Sequence, residues 1–159
     1  MKRNRKGSRH RRQTLQVWTY EQARRVVPYV RSIMRSLREC QIEVQTHSLR
    51  AKRLAGQAGR PNRARILSQQ LATEAVTEAM ERVQKSLVDL HTLDIYCLDA
   101  IRGLALIPFV HDNQLAWFIF DLFEPGESLT QWRYHQDPIE KRRPIAEAIE
   151  QTPGNNYVV

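Results

Sequence analysis

Seven basic side chains crowd the first twelve residues of this 159-residue chain, and their chemistry is that of phosphate binding. They are Lys2, Arg3, Arg5, Lys6, Arg9, Arg11 and Arg12. Lysines and arginines that pair with phosphates release counterions, which favours contact with RNA, DNA or the ribosome. The same run also suits a tail that only keeps the protein soluble. Both interpretations are open at this stage, and we take nucleic-acid binding by the tail as the working hypothesis.

Possible metal ligands lie close together where the second predicted helix gives way to the first predicted strand. They are His91, Asp94 and Cys97. Because these residues straddle a helix end and a strand start, their spacing does not direct them at a common point. His91 also suits a helix C-terminus, where a basic side chain interacts favourably with the helix dipole. We predict no metal site and no cofactor.

Acidic residues and one histidine surround the last predicted hairpin, where they would form acid–base pairs if they converged. They are Asp121, Glu124, Glu127 and His135. No nucleophile with an oriented base accompanies them. The chain also has no glycine-rich phosphate loop, no Cys-x-x-Cys and no His-Glu-x-x-His motif. We predict no catalytic residue. A small enzyme or metal protein that uses Glu124, Glu127 and His135 is the alternative.

The charges are distributed unevenly between the two halves of the chain. Residues 1–65 hold 18 basic and 3 acidic side chains, whereas residues 66–159 hold 7 basic and 14 acidic ones. The two cysteines are 57 positions apart, which fits free thiols in a reducing compartment better than a disulfide framework. The basic N-terminus is not followed by an apolar stretch, and no segment approaches the ~18 consecutive apolar residues of a membrane span. We expect a cytoplasmic protein.

A long amphipathic helix over residues 18–54 is the first element that must position these groups. Apolar or small residues recur at the 4-3 spacing of a coiled-coil seam, at Val26, Val30, Ile33, Leu37, Cys40, Val44, Ala51 and Leu54. Thr19 and Gln22 have the types and spacing of a capping box, and Pro28 predicts a bend. The opposite face is predicted to be solvated and positively charged, with Arg24, Arg31, Arg35 and Arg38.

A second helix is predicted from about residue 63 to about residue 90. It follows a glycine-containing break that ends at Asn62, which is a suitable cap. Its predicted packing surface consists of Val76, Met80, Val83, Leu87 and Leu90, with Leu67, Leu71, Ala75 and Ala79 beside them. Two such helices joined by a short connection form an antiparallel hairpin. Acidic residues of the second helix are expected to face arginines of the first.

Beyond residue 95 the apolar runs shorten to strand length. Four runs, over residues 95–98, 104–110, 115–122 and 129–134, are separated by turn-forming residues and predict an antiparallel meander. In the third run, Trp117 and Phe118 fall on opposite faces and both faces are apolar, so the sheet needs cover on both sides. The predicted fold class is α+β, a long antiparallel α-helical hairpin followed by a small antiparallel β-meander.

These elements divide the chain into three regions. Residues 1–17 are predicted to be a disordered basic tail, because a highly charged segment cannot bury enough apolar surface to offset ordering. Residues 18–136 form the hairpin-plus-meander domain. Residues 137–159 are predicted to be a loose C-terminal tail.

Three strings resemble the pattern of a known family. The first is Trp18-Thr19-Tyr20-Glu21-Gln22-Ala23 followed by Val26-Val27-Pro28, which is similar to an opening of aromatic-Thr-x-Glu-Glu-Ala, two aliphatics and Pro. The second, Asp99, Gly103-Leu104 and Pro108, resembles an Asp-x3-Gly-Leu-x3-Pro stretch. The third, Leu122-Phe123-Glu124-Pro125 with Trp132 and His135, resembles Leu-Gly-Glu-Pro followed by Trp-His.

The family that these strings resemble is DUF2203, a group of small uncharacterised bacterial proteins classified as a domain of unknown function. The chain departs from its pattern at three positions. Phe123 replaces the usual Gly, Arg133 follows Trp132 where His is typical, and Leu106 stands where Asp is frequent. The resemblance covers roughly residues 18–145, supports the fold and implies no activity.

We expect a non-catalytic cytoplasmic binding or scaffold protein that contacts an anionic partner, RNA or the ribosome, through its basic tail. The rival hypothesis is a protein–protein interaction scaffold without nucleic acid. The first helix would span roughly 50 Å, beyond the ~40 Å diameter of a compact chain of this length. A small meander cannot cover both helices and its own second face, and large exposed apolar patches are rare on soluble monomers. We therefore predict a two-fold symmetric homodimer built from hairpin and sheet surfaces.

Overall fold

Two helices followed by an antiparallel sheet make up the computed structural model, which describes residues 14–149 and 157–158. Its elements are β1 (Thr14–Leu15), α1 (Tyr20–Ala55), α2 (Arg63–His91), β2 (Tyr96–Asp99), β3 (Leu104–His111), β4 (Gln114–Asp121), β5 (Gln131–Tyr134), β6 (Arg143–Pro144), a 3-10 turn (Ile145–Glu147) and β7 (Tyr157–Val158). The helices pack as a hairpin, and β2 to β6 follow one another in the sheet. The predicted α+β fold is confirmed.

Helix α1 starts where the sequence predicts. The Thr19 hydroxyl accepts a hydrogen bond from the Gln22 N–H (3.2 Å), and the Gln22 side chain accepts one from the Thr19 N–H (3.0 Å). The helix continues through Pro28 to Ala55. Its buried residues are Ala23, Val27, Val30, Ile33, Met34, Leu37 and Cys40. Within α1, all of which the structure describes, no residue beyond Cys40 is buried.

Helix α2 packs through a narrower surface than the sequence predicts. It begins after Asn62, whose side chain accepts a hydrogen bond from the Arg65 N–H at 2.8 Å. Its buried residues are Ala72, Ala79, Ser86 and Leu90. The first three recur every seven residues, and such small side chains allow two helices to approach closely. Larger residues are displaced to the flanks, so the prediction that placed Leu67, Leu71 and Met80 in the packing surface is wrong.

The polar surface of the hairpin also differs from the expectation. Arg82 of α2 pairs with Glu43 of α1, so this ion pair has its basic partner on the second helix and its acidic partner on the first. Both side chains are about half exposed, and pairs of this kind contribute little to stability. None of the helices in residues 14–149 has both the length and the apolar character needed to cross a membrane.

The main core lies between α1 and one face of the sheet. Alternate residues of the central strands form this face, namely Ala105, Ile107, Phe109, Ala116, Phe118, Phe120 and Trp132. The rings of Phe109 and Phe118 stack with centroids 3.9 Å apart. On the other face, Trp117, Ile119 and Arg133 are also buried. Both faces of the sheet therefore carry buried side chains, as their apolar character predicts.

Gly103 closes the turn between β2 and β3. Its φ is +70°, a conformation that favours glycine, and a Cβ placed on it would lie 2.5 Å from the Leu122 Cβ. The Gly103 carbonyl also accepts a hydrogen bond from the Leu122 N–H at 2.9 Å. A larger residue here would separate the turn from the end of β4.

Residues 137–149 pack on the sheet, which corrects the predicted loose tail over residues 137–159. Asp137 accepts hydrogen bonds from the Arg143 guanidinium (3.0 and 3.3 Å), and the Trp132 indole N–H donates to the Pro144 carbonyl (3.0 Å). Ala148 is buried against the core. The domain therefore extends past its predicted end at residue 136.

The predicted start of the domain is also too late. Strand β1 pairs with β7 in antiparallel register, and Leu15 and Val17 are buried. The Trp18 N–H donates to the Pro108 carbonyl of β3 at 2.8 Å, which attaches this segment to the edge of the sheet. Residues 14–17 thus belong to the domain. The seven basic residues of the predicted tail lie outside the described residues.

Candidate functional site

A cleft of about 980 Å³ opens on the face of the sheet that carries Trp117 and Arg133. These two residues are direct partners on β4 and β5, so their side chains share this face. The walls are formed by Thr14, Leu15, His91, Asp94, Tyr96, Leu106, Asn113, Gln114, Leu115, Tyr134, His135 and Gln136. The volume falls in the range of clefts that bind small molecules.

Four rings form a continuous row in this cleft. The His91 and Tyr96 rings have centroids 5.6 Å apart, Tyr96 meets Trp117 edge-on at 5.5 Å, and Trp117 meets His135 at 5.8 Å. His91 ends α2, Tyr96 begins β2, Trp117 is central in β4, and His135 directly follows β5. The row therefore joins four separate parts of the chain. It offers flat apolar surfaces beside polar ring nitrogens.

The Trp117 indole fixes the tautomer of His135. Its N–H donates to the His135 Nδ1 at 3.1 Å, and the His135 backbone N–H donates to the Leu115 carbonyl at 2.9 Å. Because Nδ1 accepts, the neutral ring carries its proton on Nε2. His135 is exposed, so this second N–H is available as a hydrogen-bond donor at the cleft.

Arg133 is the most unusual group in the cleft because it is a buried charge with few partners. It is only 7% exposed. Its Nε and Nη2 donate to the carbonyls of Tyr134 (3.3 Å) and His135 (3.4 Å), both at long distances. Its Nη1 is buried and has no hydrogen-bond partner among residues 14–149. A buried guanidinium needs more acceptors than these two carbonyls supply.

The segment that follows the basic N-terminus forms one wall of the cleft. Thr14 and Leu15 line it. The Gln16 N–H donates to the Asp94 carboxylate at 2.7 Å, and the Trp18 indole N–H donates to the Leu93 carbonyl at 3.2 Å. These bonds hold residues 14–18 against the end of α2. Thr14, the first described residue, therefore lies at the edge of the cleft, two positions after Arg12 in the sequence.

The three possible metal ligands do not come together. His91 and Asp94 line the cleft, whereas Cys97 pairs with Ala105 and faces the core. Burial raises the pKa of the Cys97 thiol to about 11, which keeps it protonated at neutral pH. Among the described residues, no three His, Cys, Asp or Glu side chains form a group that could hold a metal ion.

The acidic residues of the last hairpin are also separated from His135. The His135 N–H bonds to Leu115, near the start of β4, whereas Glu124 lies beyond the end of that strand. The Glu124 carboxylate instead accepts a hydrogen bond from the Thr130 hydroxyl. The Asp121 carboxylate accepts one from the Phe123 N–H at 2.9 Å. Asp121 and Glu124 are therefore not assembled with His135 into an acid–base group.

Arg31 and Arg38 bind loops of the sheet, which corrects the predicted solvated face of α1. The Arg31 guanidinium donates to three carbonyls at 2.7, 3.2 and 2.6 Å, those of Leu122, Glu124 and Gly126. Arg38 donates to the Ile101 carbonyl at 2.9 Å. Arg24 and Arg35 are exposed. Half of the predicted basic face is thus used to hold the loops.

Sequence reasoning missed Tyr96, Trp117 and Arg133 as functional candidates. The alternation of the third apolar run placed Trp117 on one face, but its neighbours on that face depend on strand register. The sequence signal that could have indicated this cleft was the set of positions that depart from the family pattern. Two of the three departures, Leu106 and Arg133, line the cleft.

A comparison with protein families supports this resemblance. A family model described as "Uncharacterized conserved protein (DUF2203)" matches residues 16–145. No curated protein and no solved structure matches the chain. The matched range contains both helices, the strands β2 to β6 and most of the residues that line the cleft. The chain therefore belongs to the DUF2203 family of uncharacterised conserved proteins.

Proposed function

We propose that the protein is a non-catalytic binding protein that contacts RNA through its basic N-terminal residues and the adjoining cleft. The observation that carries this proposal is the position of Thr14 and Leu15. They follow the basic run after Gln13 and line a cleft that contains the buried, incompletely paired Arg133. Positive charge beside exposed rings is the chemistry that proteins use to bind single-stranded RNA.

The proposed location of this activity is the cytoplasm. Both cysteines are free, Cys40 buried and Cys97 partly buried, as suits a reducing compartment. The separation of Glu124 from His135 favours a binding role over the acid–base alternative. An interaction scaffold without nucleic acid is the rival function, and it predicts no role for the basic residues.

A single set of binding curves separates these two functions. Full-length protein with all seven basic residues of the N-terminal run changed to Gln is compared with the wild type by fluorescence anisotropy of a mixed-sequence single-stranded RNA. If all seven charges meet phosphates, log K falls with log salt at a slope of about −5 for the wild type. The variant is expected to lose most of this affinity and most of the slope.

The matched control removes exposed basic residues from the far end of the hairpin. Its five changes to Gln are at Arg50, Lys52, Arg53, Arg60 and Arg63. We expect this control to bind RNA like the wild type, because these side chains lie far from the cleft. Equal losses in the two variants, or an affinity that does not change with salt, would contradict the proposed function.

We propose in addition that the protein is a two-fold symmetric homodimer whose contacts include the hairpin. Large apolar side chains are exposed along the helices, including Leu49 (54%), Ile66 (46%), Leu67 (55%) and Leu71 (57%). Apolar groups that cluster near the end of a hairpin are costly in water, and a second copy of the same surface would bury them.

A further inference from the structure

We infer that the cleft is a binding site for a nucleoside phosphate, with the base against Tyr96 and the phosphate on Arg133. This inference rests on the proposed function and specifies one binding site and its ligand chemistry. Within the part of the chain that the structure describes, the buried Nη1 of Arg133 has no hydrogen-bond partner, and the other two nitrogens have only long bonds to carbonyls. A phosphate oxygen would give this guanidinium the charged acceptor that the protein does not supply.

Among the described residues, no carboxylate forms an ion pair with Arg133, whose hydrogen bonds go to backbone carbonyls. Of the described residues that line the cleft, one has a carboxylate, Asp94, and it already accepts a hydrogen bond from the Gln16 N–H at 2.7 Å. Burial and the nearby Asp94 charge raise the pKa of Tyr96, so its hydroxyl stays neutral. His91 and His135 add ring N–H groups that donate to phosphate or ribose oxygens. The group with unmet hydrogen-bonding capacity is therefore cationic.

The rings supply the second half of the recognition. Tyr96 is 38% exposed and is braced edge-on by the buried Trp117. His91 and His135 continue the row on either side. A fixed, partly exposed ring is the platform on which proteins stack nucleic-acid bases, and every base has a face that can stack. A phosphate or a carboxylate alone would leave this surface unused.

A single extended ligand can contact both the Tyr96 ring and the Arg133 guanidinium. Tyr96 contacts Trp117, and Trp117 lies directly opposite Arg133 on the next strand. Tyr96 and Arg133 lie on β2 and β5, which are three strand spacings, about 14 Å, apart in the sheet, and the contact between the Tyr96 and Trp117 rings bridges part of this span. A ligand that contacts both groups must therefore be extended, as a nucleotide is. Neutral amides at the rim, from Asn113, Gln114 and Gln136, suit the edge of a base.

A second buried polar atom, on His111, shows that the lack of a hydrogen-bond partner is not enough to identify a binding site. The His111 Nδ1 also has no hydrogen-bond partner among the residues that the structure describes. Its ring lies on the opposite face of the sheet between the rings of Phe109 (6.3 Å), Trp132 (4.6 Å) and Tyr134 (5.7 Å), and it does not line the cleft. Arg133 differs because it lines an open volume with an aromatic wall.

The test uses the full-length protein with the seven N-terminal basic residues changed to Gln, so that the tail cannot bind phosphate. The ¹⁵N-labelled protein is titrated with AMP, adenosine and inorganic phosphate, and the indole N–H signal of Trp117 is followed by NMR. A Trp117→Phe variant assigns that signal. We expect AMP to shift it saturably and to bind at least about 10-fold more tightly than adenosine or phosphate.

Variants then assign the two contacts. Arg133→Gln is expected to weaken AMP binding at least about 10-fold, to the level of adenosine. The matched control, Arg142→Gln, removes the same charge from a partly exposed arginine outside the cleft and should leave AMP binding unchanged. Tyr96→Leu should weaken AMP and adenosine to a similar degree, because both contain the base. If Arg133→Gln does not give a folded amide spectrum, the ratio of AMP to adenosine affinities and the Tyr96 variant decide.

Equal affinities for AMP and adenosine, or equal effects of the two arginine variants, would overturn the inference. Loss of RNA binding by the tail would not, because the tail is neutral throughout these titrations. A six-nucleotide oligoadenylate that competes with AMP would identify an RNA strand as the source of the nucleotide. A free nucleotide is the source if the oligonucleotide does not compete.

Discussion

The half of the hairpin near the sheet and the half away from it follow the same 4-3 spacing but differ in burial. All seven buried residues of α1 lie between Ala23 and Cys40. Val44, Ala51 and Leu54 continue the spacing and are only half buried. In α2 the buried residues likewise fall between Ala72 and Leu90. We call these regions the proximal half and the distal half.

The 4-3 spacing therefore determines which face of each helix is apolar, but it does not bury that face. Burial also requires the sheet, which packs on the hairpin as an additional layer. Two helices alone cover only the strip along which they touch. The 36 residues of α1 span roughly 54 Å, whereas the eight-residue strands β3 and β4 span roughly 27 Å each. The sheet therefore covers about half of the hairpin, and the distal half depends on its own helix contact or on another molecule.

The largest expected effect compares two leucines of the same predicted seam. Leu37→Ala, in the proximal half, should lower the free energy of unfolding by about 2–5 kcal/mol because Leu37 is fully buried against the sheet. Leu54→Ala, in the distal half, should lower it by no more than about 1 kcal/mol. Urea unfolding at low protein concentration measures both. Equal losses would contradict the distinction between the halves.

The next prediction concerns the hydrogen bonds of Arg31, which hold the proximal half against the loops of the sheet. Arg31→Ala removes three hydrogen bonds to carbonyls and should cost about 2–3 kcal/mol, because the loop carbonyls lose a charged donor. Arg35→Ala is the control, since Arg35 is exposed four residues further along the same helix. Its effect should lie within about 0.5 kcal/mol of zero. A thermal or urea unfolding series that ranks the two variants equally would argue against the anchoring role.

A smaller effect on stability, but a clear one on mass, is expected from the distal half. The double variant Leu67→Glu and Leu71→Glu places charges on exposed apolar positions. In sedimentation equilibrium at micromolar concentration, the wild type should give twice 18.7 kDa and the variant 18.7 kDa. Ile139→Glu, at a position that is 57% exposed on the C-terminal side of the sheet, should keep the dimer mass. A wild type at 18.7 kDa would refute the dimer.

The smallest expected effect concerns Asp137, which lies in the segment 137–149 that packs on the sheet. The Arg143 guanidinium, together with the Tyr134 N–H and Lys141, lowers the pKa of Asp137 to about 2. A carboxyl group whose pKa is lower in the folded state stabilises the fold above its unfolded value of about 4 and loses this contribution as pH falls toward 2. The difference in Tm between wild type and Asp137→Asn should therefore be present at pH 6 and shrink below pH 4. A difference that is constant with pH would mean that charge is not involved.

Local rules predicted the elements well because their signals lie within a few residues. The capping box at Thr19, the cap at Asn62 and the turn at Gly103 each depend on neighbours in sequence. Hydrophobicity alone was a poorer guide to helix packing. It favoured Leu71 and Met80, whereas close approach of the helices selected the small residues beside them.

These local rules could not predict the cleft, because the residues that line it come together only through the pairing register of the strands. His91, Tyr96 and His135 are spread over 44 residues of sequence, and they meet only because four strands pair in one alignment. Alternation gives the face of a side chain but not its cross-strand partner. The guanidinium of Arg133 lacks hydrogen-bond acceptors only in the folded state, so no sequence pattern predicts this feature.

The bonds of Arg31 to residues 122–126 also set an order for folding during synthesis. The partners of this arginine follow it by 91 to 95 residues, and the strands β3 and β4, which cover Leu37, start 67 and 77 residues after that leucine. At ribosomal rates of roughly 5–20 residues per second, the buried face of α1 waits about 5–20 s for its sheet. During that interval α2 is the only part of the chain that can shield it. The nascent hairpin is therefore the state in which this protein most needs a chaperone, and ribosome-associated intermediates that stop before β3 should be the most prone to aggregate.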